Sequence, residues 1–325
     1  MLSKSDFEKK HLVFTFMNEG EKISFSNDNI VIKDKDGKLK HQSTCYRILA
    51  LFVVGNLTIT SGLIQRSKKF CFPIFLMNAN LKTYDVIGFK AEGNTKLHER
   101  QYAYAGDEIA IKLICNKVAN QRAALMRQRN KSDSTKQTIQ VLQEYEQEIK
   151  QSLSENNVHK LMGREGSAAR AYFREQFNNA QWQGRKPRIK ADYINATLDI
   201  GYTLLFNYIE ALLRIFGFDV YVGILHKEFY MRKSLVCDLV EPFRPLIDLR
   251  IRKAISLGQC KESDFEVKNH AYVLKREEQK RYTLFLLEPI IENQMELYAY
   301  VKQYYQCFMR NAPIEQYPYF EMGCK

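Results

Sequence analysis

Residues 193–216, YINATLDIGYTLLFNYIEALLRIF, decide the fold. Leu198, Tyr202, Leu205, Ile209, Leu212 and Phe216 recur three or four positions apart, which on an α-helix lines one face with apolar side chains. Gly217 follows where a left-handed terminating residue is wanted. A helix this long and apolar belongs at the centre of a core, so its neighbours should be helices too. The same spacing predicts helices over 163–180 and 235–256 on either side, 107–129 and 136–153 before them, and 282–309 after them. Acids open 107–129, where they complement the helix dipole, and the polar stretch 131–135 offers Ser and Asp as N-caps, so 107–129 and 136–153 read as an antiparallel pair.

The first hundred residues have a different texture. Short β-branched and aromatic runs at 13–16, 23–25, 30–32, 57–60 and 74–76 alternate with turn signals such as Asp36-Gly37 and Gly55-Asn56. A helix over 44–52 breaks the pattern. The fold class is therefore α+β: a small N-terminal β-sandwich domain over 1–95, followed by a larger all-α domain over 96–325. Residues 48–65 carry no charge, but Gly55, Asn56, Ser61 and Gly62 interrupt them, so strands joined by turns fit better than a membrane span.

Composition narrows the function. At 325 residues, 45% hydrophobic and 26% charged, the chain is neither disordered nor membranous in character. Its net charge of +12 concentrates polyanions, of which nucleic acid is the commonest. The seven cysteines are odd in number and never form CxxC, which argues for reduced thiols and against a cysteine-rich zinc site. With no signal-type N-terminus, the expected location is cytoplasmic.

Four residues of the helical half are candidates for chemistry: Glu165, His226, Asp238 and Glu241. Glu165 lies among small residues at an expected helix start, either accessible to a ligand or simply an acid favoured by the dipole. His226 ends the apolar run 221–225, as a metal ligand, a proton shuttle or a structural histidine. Asp238 and Glu241 stand three apart on one helical face; either a cation relieves their repulsion, or they are surface acids paired with Arg244. One imidazole with two or three carboxylates is a hard donor set suited to Mg²⁺ or Mn²⁺. Arg185, Lys186, Arg188 and Lys190, beside Trp182, would track a phosphate backbone or form a solvated loop.

These residues fall in a series of motifs. GREGSAARAYF at 163–173, Gly184-Arg185 followed by Asp192-Tyr193-Ile194-Asn195-Ala196, Gly201-Tyr202-Thr203-Leu204-Leu205, Gly223-Ile224-Leu225-His226, and 238–248 occur in this order, with Lys117 to Arg122 upstream. Together they resemble the CRISPR-associated adaptation integrases, the Cas-one family, over most of the chain. The resemblance implies a β-domain that forms a homodimer and a helical domain that binds Mg²⁺ or Mn²⁺ through Glu165, His226 and Glu241, with Asp238 as a supporting acid. It implies capture of short double-stranded DNA and its insertion into a CRISPR array, with a small ferredoxin-like Cas-two protein bridging two dimers. Arg164, Arg185, Lys186, Arg188 and Arg244 are the cations expected to meet DNA. A general metal-dependent DNA nuclease and a non-catalytic DNA-binding scaffold remain alternatives.

Overall fold

The runs Ile48-Leu49-Ala50-Leu51-Phe52-Val53-Val54 and Pro73-Ile74-Phe75-Leu76-Met77 have no polar alternation, the pattern of strands covered on both faces. The computed structural model, which describes residues 4–79, 81–91, 93–151, 158–178, 182, 184–226 and 230–323, makes them the central strands of a mixed sheet. The chain divides into two compact units, one of Met1–Glu99 with Asn207–Asp219, the other of Arg100–Phe206 with Val220–Lys325.

In the first unit, α1 (Lys4–Glu8) precedes β1 (His11–Phe16), β2 (Lys22–Ser26), β3 (Asn29–Lys33), β4 (Leu39–Thr44), β5 (Ile48–Val54), α2 (Ser61–Lys69), β6 (Pro73–Met77) and β7 (Thr83–Gly88). One sheet has the order β1-β5-β6-β7, parallel except at β7, and the other is the antiparallel meander β2-β3-β4. Ile30 and Ile32 of the meander share a core with Val13, Leu51, Val53, Ile74 and Leu76 of the larger sheet. That shared core gives the sandwich character read from the sequence.

Two local expectations are corrected. Residues 44–52 are not a helix: a 3-10 turn, Cys45–Arg47, leads into β5, whose apolar side chains are all buried between β1 and β6. Residues 57–60 are not a strand: Thr60 caps α2, its hydroxyl accepting from the Leu63 amide at 3.4 Å. Parallel neighbours need a crossover, and α2 supplies the one from β5 to β6. The polar edge strand β4 and the strand β7 have no apolar alternation that would announce them.

Beyond β7 the chain is helical: α3 (Thr95–Ala103), α4 (Glu108–Met126), α5 (Asp133–Gln151), α6 (Val158–Gln176), α7 (Tyr193–Phe216), α8 (Ser234–Val240), α9 (Arg244–Ser256), α10 (Gln279–Glu292) and α11 (Gln294–Arg310). The ends expected at 153 and 180 lie outside the described residues. Helix α7 begins at Asp192, whose carboxylate accepts from the Asn195 amide at 2.7 Å. It ends at Gly217, with φ at +83°, where the Phe218 amide reaches the Leu213 carbonyl at 3.1 Å.

Three departures have clear causes. The helix expected over 235–256 breaks into α8, a 3-10 turn Glu241–Phe243 and α9, because Pro242 and Pro245 lack the amides a continuous helix requires. The helix expected over 282–309 is two, parted at Asn293, whose side chain donates to the Pro289 carbonyl at 2.7 Å. The helical part also holds a hairpin, β8 (Phe265–Lys268) and β9 (Ala271–Leu274), turned by Asn269 and His270 at positive φ. It is therefore not purely α. Among the described residues no helix is long and apolar enough to cross a membrane.

Gly201 lets α7 approach its neighbours closely. A Cβ there would fall 2.5 Å from Ile247 Cγ2 on α9 and 3.2 Å from a Leu286 methyl on α10. Gly201→Val is expected to lose about 1–3 kcal/mol by overpacking, measured as a lowered urea midpoint at unchanged slope.

Candidate active site

The site begins with an oddity on α4. Lys117 is buried between Leu113, Ile114, Val118 and Gln121, where an unpaired ammonium would be too costly to keep. Two carboxylates from distant segments meet it: Glu165 Oε1 of α6 at 2.5 Å and Glu241 Oε2 of the 3-10 turn at 2.6 Å. The two acids are thus brought within about two hydrogen-bond lengths of each other.

Glu165 lies about two turns inside α6, not at its start, so the helix dipole does not account for it. The carboxylate is partly exposed, and a Cβ added at the nearby Gly163 or Gly166 would meet nothing within 4 Å. Glu241 is deeper, its side chain 6% exposed against 26% for Glu165. Its Oε1 accepts from Arg244 Nη1 at 2.8 Å. Burial pushes the Glu241 carboxyl up, but Arg244 and Lys117 outweigh it, with His226 adding to them, and bring it down to about 2. At Lys117 burial again opposes the charge and the two glutamates prevail, raising its pKa.

His226 closes the loop after α7, and Asp238 fixes it. The fully buried Asp238 carboxylate accepts from the backbone amides of Ile224 (2.6 Å), Leu225 (3.0 Å) and His226 (3.0 Å), and from His226 Nδ1 at 2.6 Å. With Nδ1 committed to Asp238, Nε2 is the ring nitrogen left for ligation or proton transfer. Gly223 permits this wrapping, since a Cβ there would come within 2.6 Å of the His226 carbonyl and of Ser234. Asp238 is thus the support of the imidazole and not a partner of Glu241 facing solvent.

Behind Glu241 a further network runs inward. The Tyr202 ring lies 4.3 Å beneath the Arg244 guanidinium and 5.4 Å from that of Arg185. Its hydroxyl donates to Asp248, as does Tyr172 at 3.0 Å. Burial pushes the Asp248 carboxyl up to about 6, against both phenols and both arginines.

The cations singled out from the sequence fall into different settings. Arg164 pairs with Glu148 at 3.3 Å, and Arg185 with Asp199 at 2.6 Å and Asn195 at 3.0 Å. Arg244 serves Glu241, Lys186 is half-buried with its amide on Asn195 at 2.8 Å, and Arg188 is exposed. Lys117 has no assigned role in the sequence reading, although a lone lysine on an otherwise buried helical face was a usable signal for acidic partners.

Chemically, two carboxylates and an imidazole suit a hard divalent cation. Glu241 Oε2 is buried and faces the Lys117 ammonium at 2.6 Å. A buried carboxylate oxygen already held against a cation fits a metal ligand. Among the described residues, no group of three or more His, Cys, Asp or Glu side chains stands where it could hold a metal ion together; Glu165 and Glu241 are joined through the Lys117 ammonium instead.

The family model described as CRISPR associated protein Cas1 matches residues 14–286. Over 298 residues the chain is 26% identical to the CRISPR-associated endonuclease Cas1 1 of Archaeoglobus fulgidus, covering 83% of this chain and 85% of that protein. The Cas6-RT-Cas1–Cas2 complex superimposes with a TM-score of 0.81 at 22% identity, over 97% of this chain and 36% of that longer one. A casposase bound to integration product does so with 0.74 at 19% identity, over 95% and 94%. At such identities the two structures establish the fold, an N-terminal β region with a larger helical part.

Proposed function

This chain belongs to the Cas1 family of CRISPR-associated proteins, and from that premise we propose that it is a DNA integrase and endonuclease of CRISPR adaptation. In this reading a 3′-hydroxyl of a captured duplex attacks a phosphodiester of the repeat array. One phosphorus–oxygen bond forms as another breaks, and the displaced strand leaves with its own 3′-hydroxyl, so no outside energy source is needed. Cleavage by water uses the same site with another nucleophile.

The observation that carries the reading is the convergence of Glu165 and Glu241 on one ammonium, with the His226 imidazole oriented by Asp238. Glu165, Glu241 and His226 Nε2 would hold Mg²⁺ or Mn²⁺, which supplies charge stabilisation at phosphorus and a more acidic attacking hydroxyl. Arg244 and Lys117 keep Glu241 ionised. Asp238 keeps Nδ1 of His226 protonated, leaving Nε2 directed to ligation or proton transfer. The exposed Arg188 and the net charge of +12 support binding to the DNA backbone. A Cas2 protein, named in the complexes of structural relatives, is the proposed bridging partner.

The test is product analysis. Purified protein, a short duplex with 3′-hydroxyl ends and a labelled repeat target should yield a branched strand longer than either substrate. A 3′-deoxy end should abolish it. Shortened strands without branched product would instead identify a nuclease, and salt-sensitive binding with no product a scaffold.

A further inference from the structure

The turn that bears Glu241 is held from outside as well as from within. On α4, one turn beyond Lys117, the buried Asn120 donates from Nδ2 to the Pro242 carbonyl at 3.0 Å, next to Glu241. The same Nδ2 donates to the Phe320 carbonyl at 2.9 Å, and Oδ1 accepts from the Met322 amide at 3.0 Å. Asn116, one turn earlier, accepts from the Phe320 amide at 2.8 Å and donates to the Phe320 carbonyl at 2.7 Å. The Phe320 ring meets that of Phe243, the last residue of the turn, with centroids 4.8 Å apart.

Further up, Lys112 donates to the Ile314 and Glu315 carbonyls at 2.6 and 3.2 Å, while Gln303 reaches the Gln316 carbonyl at 2.8 Å. The described C-terminal segment is therefore held to α4 by Lys112, Asn116 and Asn120 and to α11 by Gln303.

A 3-10 turn interrupted by proline has few backbone bonds of its own to fix a side chain. Glu241 is drawn by Lys117 on one side and Arg244 on the other, so its direction depends on where its backbone is anchored. The anchor is the Asn120 amide, whose own rotamer is set by the strap residues Phe320 and Met322. We infer that Asn120 is a positioning residue for the reacting centre, and that the strap Phe320–Met322 is the part of the chain that sets it. The inference rests on Glu241 belonging to that centre. Losing a partner that orients a ligand costs about 10- to 100-fold in metal affinity or activity, and that range is expected here.

The experiment compares full-length Asn120→Ala, Asn116→Ala and Glu241→Gln with wild type. Strand joining is resolved into kcat and KM for DNA, and Mn²⁺ affinity is measured on the metal-free proteins by electron paramagnetic resonance. Asn120→Ala should lower kcat about 10- to 100-fold with KM for DNA nearly unchanged and weaken Mn²⁺ binding about tenfold or more. Asn116→Ala, which loosens the strap at Phe320 without touching the Pro242 carbonyl, should move both quantities the same way by less. If Asn120→Ala does not fold, Asn116→Ala decides alone. Lowered melting temperature with wild-type kcat and Mn²⁺ affinity would overturn the inference while an inactive Glu241→Gln upheld the wider reading. Activity in Glu241→Gln as well would overturn both.

Discussion

Glu241→Gln is expected to abolish strand joining, by about a thousandfold or more. Several kcal/mol of charge stabilisation at the transferring phosphate are at stake, and each ~1.4 kcal/mol is a factor of ten in rate. The substitution keeps the shape of the side chain but removes the charge that Lys117 and Arg244 face. Breaking one member out of a buried ionic cluster costs about 3–5 kcal/mol of stability, so the melting temperature should fall as well. Glu165→Ala separates the two effects: that carboxylate is the more exposed, so joining should fail with a smaller loss of stability. Single-turnover joining and thermal melts of both variants are the measurements. Wild-type joining in both would remove the proposed centre.

The pH dependence has a definite sign. The folded-state pKa of Glu241, about 2, lies below its ordinary 4.5, so its ion pairs stabilise the fold fully above the unfolded value and fail only as pH falls through 2. Between pH 5 and 8 Glu241 stays ionised throughout.

How much of this was readable from the sequence depends on how far apart the contacting residues are. Helix α7 was legible to its ends, because an apolar stripe and a closing Gly217 are local signals; the cap at Asp192 shows only in the structure. Strand β5 was misread because Ile48-Leu49-Ala50-Leu51 has no period that separates helix from strand; its neighbours β1 and β6 decided the matter. The same limit governs the site. Glu165, His226, Asp238 and Glu241 could be singled out by their settings, but not who faces whom. Asp238 and Glu241 look like a pair at a spacing of three, whereas the proline-broken turn sends one to the His226 loop and the other to Lys117. Lys117 and Asn120 find their partners more than 40 residues away. No local pattern encodes such a meeting.

Asp238→Asn should be nearly as damaging as loss of a ligand, although Asp238 itself would touch neither DNA nor ion. Both its oxygens are committed as acceptors, Oδ2 to the amides of Ile224 and Leu225, Oδ1 to the amide and Nδ1 of His226. An asparagine has one acceptor oxygen and an NH₂ that must point at donors. Whichever way it flips, at least two buried N–H groups lose their partner at about 1–3 kcal/mol each, and the loop 224–226 loosens. With the amide NH₂ toward His226, the imidazole must turn its lone pair inward at Nδ1, and Nε2 becomes a donor that can no longer ligate or accept a proton. Joining should fall about 10²- to 10⁴-fold, between the loss of a partner that orients a ligand and an imidazole held in the wrong tautomer. Nitrogen-15 shifts of His226 give the readout that a purely structural role would not move: Nδ1 protonated in wild type, Nε2 protonated in the variant. A variant that joins strands normally with Nδ1 still protonated would show that His226 does not depend on Asp238 for its orientation.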